Sequence, residues 1–232
     1  MRRPVPIVAL DVADAPAAFA LLERLGPGAD FVKVGLQLFT AEGPGVVRAL
    51  RRAGRRVFLD LKLHDIPNTV AHAVRSAAAL EVELLTVHVS GGAAMLRAAR
   101  EAAGPRGGAL RLLGVTVLTS LAADELGEAW GREGVAVDAE AARLAGVALR
   151  CGMDGVVAAV PDVAAVRAAG GELLVLTPGI RLSGDASGDQ ARTATPAEAA
   201  RAGADYVVLG RSVTGAPDPA AALARALREL SG

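Results

Sequence analysis

The apolar run Val57-Phe58-Leu59-Asp60-Leu61-Lys62 precedes an alanine-rich helical pattern over Val70–Leu80 and then a second apolar run, Leu84–Val89. Both runs are almost continuously apolar instead of alternating with polar residues. Such runs are typical of parallel strands that are covered by helices. The order strand, helix, strand therefore predicts one βαβ unit, and the rest of the chain repeats its pattern.

The alternation of strand-like and helical patterns extends over the whole chain. The eight strand-like runs are Ile7–Asp11, Phe31–Gly35, Val57–Lys62, Leu84–Val89, Leu112–Leu118, Gly155–Val160, Leu173–Thr177 and Tyr206–Gly210. Eight such units in 232 residues predict an α/β fold, a single (β/α)8 TIM barrel formed by residues 1–232. The alternative is a doubly wound open sheet. It calls for a Gly-x-Gly-x-x-Gly turn after the first strand, where this chain has Asp11-Val12-Ala13-Asp14.

Helical patterns separate the strand-like runs, and two of the helices have clear start signals. The patterns include Ala15–Leu25, Val46–Ala53, Val70–Leu80, Ala93–Ala103, Ala139–Arg150 and Val163–Ala169. Thr195-Pro196-Ala197-Glu198 predicts a capping box with proline at the first helical position, and Asp218-Pro219 predicts the start of the terminal helix.

The composition excludes several classes of partner. The formal net charge is zero and aromatic residues make up 3%, so we expect no binding of nucleic acid or of an anionic membrane. Cys151 is the only cysteine, which rules out an intrachain disulfide and fits a reducing compartment. The short apolar start is interrupted by Asp11, so we expect no signal peptide and a soluble, cytoplasmic protein.

The chain contains two lysines, Lys33 and Lys62, beside 23 arginines. Each lysine lies at the end of a strand-like run, and Lys62 is framed by carboxylates in Asp60-Leu61-Lys62-Leu63-His64-Asp65. A guanidinium stays protonated, whereas a compact ammonium can donate a proton. The two positions therefore indicate chemistry that arginine does not supply. The alternative is that one or both lysines occur by chance at a solvent-exposed edge and have no functional role.

Polar residues collect where the predicted strands end, which is where barrels of this kind have their active sites. They are Asp11, Lys33, Asp60, Lys62, Thr119, Ser120, Arg181, Gly210 and Arg211. Asp60 and Lys62 are two positions apart and share a strand face. With Lys33 and Asp65 they predict an array of zero net charge, which limits the cost of burying four ions. The alternative is a salt-bridge network at the rim without chemistry.

The C-terminal third of the chain predicts a phosphate site. Thr177-Pro178-Gly179-Ile180-Arg181 leaves the seventh strand, a loop of small residues follows over Ser183–Gln190, and Gly210-Arg211 follows the eighth strand. Backbone N–H groups and an arginine at this end of a barrel are typical of phosphate binding. The alternatives are that Arg181 and Arg211 are surface residues without a ligand and that the loop only connects two elements. No spacing of His, Cys or Asp predicts a metal site, and His88 is expected to be a barrel histidine without a catalytic role.

At this point the chain resembles the orotidine 5′-phosphate decarboxylase family. The ten residues from Asp60 to Thr69, Asp-Leu-Lys-Leu-His-Asp-Ile-Pro-Asn-Thr, are similar to its signature. The supporting motifs occur in the expected order: Leu10-Asp11, Val32-Lys33-Val34-Gly35, Val115–Ser120, Thr177–Arg181, Gln190 and Gly210-Arg211. The Asp-x-Lys-x-x-Asp core alone is shared with a wider superfamily, whereas the extended form is specific.

The resemblance implies conversion of orotidine 5′-monophosphate (OMP) to uridine 5′-monophosphate (UMP) without a cofactor or a metal. It implies that Lys62 protonates C6 of the pyrimidine, that Asp60 faces the departing carboxylate, and that Lys33 and Asp11 bind ribose hydroxyls. Further contacts follow from the same resemblance: Thr119 to the pyrimidine edge, Gln190 to base and phosphate, and Arg181, Gly210 and Arg211 at the phosphate. Asp65, which the resemblance groups with the catalytic residues, and Thr69 are expected to reach the partner's site in a homodimer with shared sites. Ile66 is expected to bind substrate.

Three other functions stay open at the level of sequence. Mg²⁺-dependent sugar-phosphate decarboxylases and synthases of the same superfamily share the Asp-x-Lys-x-x-Asp core, but they carry an acidic residue where this chain has Lys33. A Schiff-base aldolase needs a neutral lysine, which the flanking carboxylates oppose. A non-catalytic nucleotide-binding barrel does not require a proton donor between two carboxylates.

Overall fold

The computed structural model describes residues 3–185 and 192–231. Eight parallel strands form a closed barrel in which each strand pairs with its neighbours in the sequence and β8 closes onto β1. The strands are β1 Val5–Ala9, β2 Phe31–Gly35, β3 Arg56–Leu63, β4 Leu84–His88, β5 Arg111–Val115, β6 Gly155–Val157, β7 Leu174–Ile180 and β8 Tyr206–Leu209. The predicted (β/α)8 barrel is confirmed.

Helices follow the strands and cover the outside of the barrel. Within the described ranges they are α1 Ala15–Leu25, α2 Leu36–Glu42, α3 Pro44–Arg52, α4 Pro67–Ala78, α5 Gly92–Ala103, α6 Ala123–Trp130, α7 Val137–Arg150, α8 Val163–Gly170, α9 Pro196–Ala202, α10 Arg211–Thr214 and α11 Pro219–Glu229. Both predicted start signals are confirmed: Thr195 and Glu198 form a reciprocal capping box, and Asp218 accepts a hydrogen bond from the N–H of Ala221 at 2.9 Å. Among the helices in these ranges, none has the length and apolar character needed to cross a membrane.

Several predicted strand ends were wrong by a few residues, because the apolar runs continue into loops. The fifth run was predicted to extend to Leu118, but β5 ends at Val115. The sixth was predicted to extend to Val160, but β6 ends at Val157, and a 3-10 turn containing Pro161 follows. The seventh extends further than predicted, because the backbone of Ile180 still pairs with Leu209 of β8.

Two apolar clusters make up the core. The larger one lies between the barrel and its helices, and the smaller one fills the barrel with inward-facing side chains such as Ile7, Phe31, Phe58 and Leu113. The strand register is regular except at two places, between Leu59 and Leu63 of β3 and between Thr177 and Ile180 of β7. Both irregularities lie at the C-terminal ends of strands, where the polar residues are.

Candidate active site

The site begins where the inward-facing rows of the strands change from apolar to polar. On β3, Phe58 belongs to the barrel interior, and the next inward positions are Asp60 and Lys62. The rows of β1 and β2 end in the same way, at Asp11 and Lys33. All four ionic side chains line one cavity of about 280 Å³ at the C-terminal end of the barrel. Side-chain alternation along parallel strands explains why they converge.

The four side chains form a continuous chain of ion pairs. Lys33 Nζ lies 2.8 Å from Asp11 Oδ1 and 3.8 Å from Asp60 Oδ2, and Lys62 Nζ lies 2.9 Å from each oxygen of Asp60. The side chains of Lys33 and Asp60 are only 10% and 13% exposed. Two ammonium groups and two carboxylates leave no net charge, so the burial of each ion is offset by its neighbours.

Close packing of this array depends on glycine at position 35. A Cβ at Gly35 would lie 2.9 Å from Lys33 Nζ and 3.1 Å from Asp11 Oδ1. Any larger residue would therefore push the ammonium or the carboxylate away. The glycine of the motif Val32-Lys33-Val34-Gly35 thus has a steric reason.

Asp60 and Lys62 do not lie on a regular strand, and a residue absent from the sequence-based prediction supports them. Lys62 has a positive φ of 50°, which is uncommon for a residue with a Cβ. The hydroxyl of Thr86 on β4 donates to Asp60 Oδ1 at 2.9 Å and accepts from the backbone N–H of Lys62 at 2.9 Å. Thr86 is the one polar residue in the buried stretch Leu84–Val87, a signal that the sequence does contain.

Two arginines lie on the other side of the cavity. Arg181 follows β7 and Arg211 begins α10, and both line the cavity together with Gly179 and Gly210. Burial and then repulsion from Arg211 lower the pKa of Arg181, while attraction to Asp185 opposes the shift. Two guanidinium groups this close favour an anion between them. Gly179, with a positive φ of 75°, lies in the irregular part of β7 between Thr177 and Ile180, directly before Arg181.

The third wall of the cavity comes from the segment after β5. Leu118, Thr119 and Ser120 all line the cavity. A contact that the sequence did not suggest supports this wall: Arg192 donates to the carbonyl of Leu118 at 3.0 Å and forms a buried ion pair with Asp162, which follows β6. Burial raises the pKa of Asp162 more than attraction to Arg192 lowers it.

Other predicted site residues lie outside this cavity or outside the described chain. Asp65 and Ile66 are exposed on the connection from β3 to α4, and Thr69 is exposed in the first turn of α4. The carboxylate of Asp65 accepts a hydrogen bond from the N–H of Ile66 at 2.6 Å. Within the same chain, Asp11 and not Asp65 pairs with Lys33. Gln190 and most of the predicted Ser183–Gln190 loop lie outside the described residues.

The histidines add no ionic contact to the array. The ring of His88 at the end of β4 lies 5.3 Å from the ring of His64, and burial followed by repulsion from His64 and Lys62 lowers the pKa of His88. Within the described part of the chain, no three His, Cys, Asp or Glu side chains are grouped as a metal site would require.

Fold and site together define a class: a (β/α)8 barrel with a small-molecule cavity that combines an ammonium–carboxylate array and an arginine pair for an anion. Comparisons with known proteins refine this class. Residues 4–226 match the orotidine 5′-phosphate decarboxylase / HUMPS family. The chain is 55% identical over 220 residues to orotidine 5′-phosphate decarboxylase of Anaeromyxobacter sp. (strain K), with 94% of each chain covered.

Two further relatives agree with this match. Orotidine 5′-phosphate decarboxylase of Moorella thermoacetica is 50% identical over 227 residues, with 95% of this chain and 89% of the relative covered. The crystal structure of orotidine 5′-phosphate decarboxylase from Lactobacillus acidophilus aligns over 100% of both chains with a TM-score of 0.85 and 36% identity. The chain therefore belongs to the orotidine 5′-phosphate decarboxylase / HUMPS family.

Proposed function

We propose that this protein is the enzyme that decarboxylates OMP to UMP, the last step of de novo UMP synthesis, and that it does so without a cofactor. The observation that carries the proposal is the placement of Lys62 Nζ, 2.9 Å from both oxygens of a largely buried carboxylate and in the same cavity as Arg181 and Arg211. The cavity thus offers a proton donor at one side and an anion site at the other. The names of the relatives support this substrate.

Each end of the substrate has a counterpart in the cavity. We assign Lys62 as the proton donor to C6, Asp60 as the group facing the departing carboxylate, and Lys33 and Asp11 as ligands of the ribose hydroxyls. On the other side, Arg211, the N–H of Gly210 and Arg181 bind the phosphate, and Thr119 contacts the pyrimidine edge. The role of Gln190, a bridge between base and phosphate, rests on the family resemblance alone.

The chemistry requires a charge next to C6. Loss of CO2 leaves an electron pair in an orbital that is not conjugated with the π-system of the ring, so the charge stays localised. A preorganised ammonium at that carbon stabilises the charge as it develops and then transfers its proton. Repulsion between Asp60 and the substrate carboxylate would act in the same direction.

The phosphate site adds to the rate and not to affinity alone. The phosphate is remote from the bond that breaks, and its binding energy can organise the cavity around the pyrimidine. Removal of the phosphate from the substrate is therefore expected to depress turnover at saturation. Equal turnover of orotidine and OMP at saturation would contradict this expectation.

We also propose a homodimer with shared sites in the cytoplasm. Residues 64–69 are all exposed beside the array, and Ile66 is a large apolar side chain that is 66% exposed. A partner subunit on this surface would cover Ile66 and bring Asp65 and Thr69 to its own cavity. The single cysteine, Cys151, supports a reducing compartment.

Mixing two inactive variants tests the shared sites. Lys62→Ala and Asp65→Ala subunits are unfolded together, refolded together and assayed. If Asp65 serves the partner's site, a mixed dimer contains one site with both residues intact, and activity returns. Activity that does not return, with sedimentation showing that dimers have formed, would place Asp65 outside the partner's site.

A spectrophotometric assay on OMP tests the reaction itself. The purified protein is expected to consume the orotate absorbance and to form UMP at the same rate with and without a metal chelator. Loss of activity in chelator that Mg²⁺ restores would favour the metal-dependent branch of the family. Binding of the nucleotide without any absorbance change would identify a binding protein and not an enzyme.

A further inference from the structure

Thr86 contacts both members of the proposed proton-donating pair although it does not line the cavity. Its side chain is completely buried on β4. Its hydroxyl donates to Asp60 Oδ1 and accepts from the backbone N–H of Lys62, each at 2.9 Å. One hydroxyl group thus joins the carboxylate of Asp60 to the backbone that carries the ammonium.

The strand pairing shows why this position is special. Leu59 pairs with Leu85 and Leu63 pairs with Val87, so three residues of β3 lie opposite the single residue Thr86 on β4. A bulge of this kind disrupts the regular ladder of backbone hydrogen bonds. The N–H of Lys62 is satisfied by a side-chain oxygen instead of a backbone carbonyl, at the residue whose φ is 50°. The local backbone at Lys62 therefore depends on a side chain from the next strand.

The same hydroxyl orients the carboxylate of Asp60. By donating to Oδ1 it restricts rotation about the bond that carries the carboxylate, and the carboxylate then meets Lys62 Nζ with both oxygens at 2.9 Å. Lys33 approaches the opposite side of the array, 3.8 Å from Asp60 Oδ2. Without the hydroxyl, the carboxylate and the Lys62 backbone would each lose a partner at once.

We propose that Thr86 is a positioning residue: it fixes the ammonium of Lys62 relative to the carboxylate of Asp60, and it does so without touching the substrate. The inference rests on the proposed function, because the ammonium must lie at C6 when CO2 leaves. A displacement of about 1 Å at a reacting group is enough to lower a rate by about a hundredfold. A residue that acts in this way changes kcat and leaves KM nearly unchanged.

Substitution of Thr86 by valine removes the hydroxyl at nearly constant shape, and Thr86→Ser retains it. Thr116→Val is the matched control, because the Thr116 hydroxyl is also buried, donates to the carbonyl of Val157 at 2.8 Å and lies outside the cavity lining. We expect Thr86→Val to lower kcat about a hundredfold with little change in KM. Thr86→Ser is expected to retain most of kcat, and Thr116→Val to lose stability but not kcat.

Two outcomes would overturn the proposal: wild-type kcat in Thr86→Val, or kcat in Thr86→Ser as low as in the valine variant. If Thr86→Val does not fold, Thr86→Ala replaces it, because alanine and serine differ only in the hydroxyl. A crystal structure of the folded variant provides a readout that is independent of turnover. It is expected to show Lys62 Nζ displaced from Asp60, and an undisturbed array would also overturn the proposal. A wild-type protein that does not decarboxylate OMP would instead refute the proposed function.

Discussion

The two ends of the barrel both carry buried or half-buried ions, but they hold them in different ways. At the N-terminal end, Arg56 donates to both oxygens of Glu83 at 2.8 Å and stacks over the ring of Phe31 at 4.1 Å. Asp154 accepts from Arg100 and from the backbone N–H groups of Gly107 and Leu112. The cations here are arginines, and two or three donors hold each of these carboxylates.

The same pattern continues at the start of β7, where Asp205 accepts from Arg167 and from the backbone N–H of Val175. In the array at the C-terminal end the cations are lysines, and the array opens onto a cavity. The arginine pair at this end, Arg192 with Asp162, supports the cavity wall and is not part of the array. The fork of a guanidinium fixes geometry and keeps its protons, whereas an ammonium is compact and can give one up. The type of cation thus distinguishes the two roles: arginines form the pairs that stabilise the fold, and lysines form the array at the C-terminal end, where barrels of this kind have their active sites.

The largest expected effect is at Lys62. Lys62→Ala removes the ammonium that stabilises the developing charge, and we expect turnover of OMP to fall by more than about a thousandfold. Lys62→Arg keeps the charge but not a transferable proton, and it is expected to be similarly inactive. Both are measured as loss of orotate absorbance, with circular dichroism as the check on folding.

The matched control for Lys62 lies at the opposite end. Arg56 also meets both oxygens of a carboxylate, so Arg56→Ala removes an equivalent ion pair outside the cavity. We expect this variant to be less stable and to keep its kcat. A large loss of kcat in Arg56→Ala would contradict the separation of the two ends.

The next effect is on stability, at Asp154. Its carboxylate is 3% exposed and Arg100 is 12% exposed, so Asp154→Ala leaves an arginine buried without its partner. Breaking such a pair costs about 3–5 kcal/mol of unfolding free energy, measurable by urea denaturation. Asp11→Ala at the C-terminal end is the contrast: Asp11 is 57% exposed and Lys33 keeps Asp60 at 3.8 Å, so we expect a smaller loss of stability and a raised KM. Reversed effects would refute the comparison.

A smaller effect is expected at Arg211. Loss of a charge-assisted contact to the phosphate lowers kcat/KM for OMP in Arg211→Ala by about tenfold to a hundredfold. Orotidine lacks the phosphate, so the same substitution is expected to leave its slow conversion unchanged. An equal decrease for both substrates would show that Arg211 acts on something other than the phosphate.

The smallest effect is the pH dependence that Glu83 contributes. Hydrogen bonds from Arg56 lower the pKa of Glu83 against the opposing effect of burial. The stabilisation is therefore present above the unfolded pKa, about 4.3, and is lost as the pH falls through the lower folded value. We expect Glu83→Gln to be less stable than the wild type by at most about 1 kcal/mol at pH 7. The unfolding free energies of the two proteins are expected to converge in acid. A difference that stays constant with pH would contradict this assignment.

Much of the fold followed from the sequence because burial on both faces makes parallel strands continuously apolar. The limits of Phe31–Gly35 and Ala15–Leu25 were predicted to the residue. Strand ends were less accurate where an apolar run passes into a loop, as at Val115, because hydrophobicity does not show where backbone pairing stops.

The site was predictable where the signal was a rare residue at a strand end, as for Lys33 and Lys62. The sequence predicted Asp60 and Lys62 to lie together because residues two positions apart share the face of a regular strand. This prediction was incomplete, since the position of Lys62 also depends on the bulge in β3 and on its positive φ. Thr86 and Arg192 were not predicted. Each acts through a contact with a residue at least 24 positions away in the sequence, and no local pattern encodes such a contact.

The sequence by itself determined the barrel, the end of the barrel that carries polar chemistry, and the presence of two lysines among 23 arginines. These features depend on periodicity and composition along one chain. Only the tertiary structure decided which carboxylate of the same chain completes the ion array. It placed Asp11 against Lys33 and left Asp65 exposed. The reason is steric: the distances between ions from different strands are set by barrel closure, by the bulge in β3 and by the missing Cβ of Gly35, none of which can be read from residues in order.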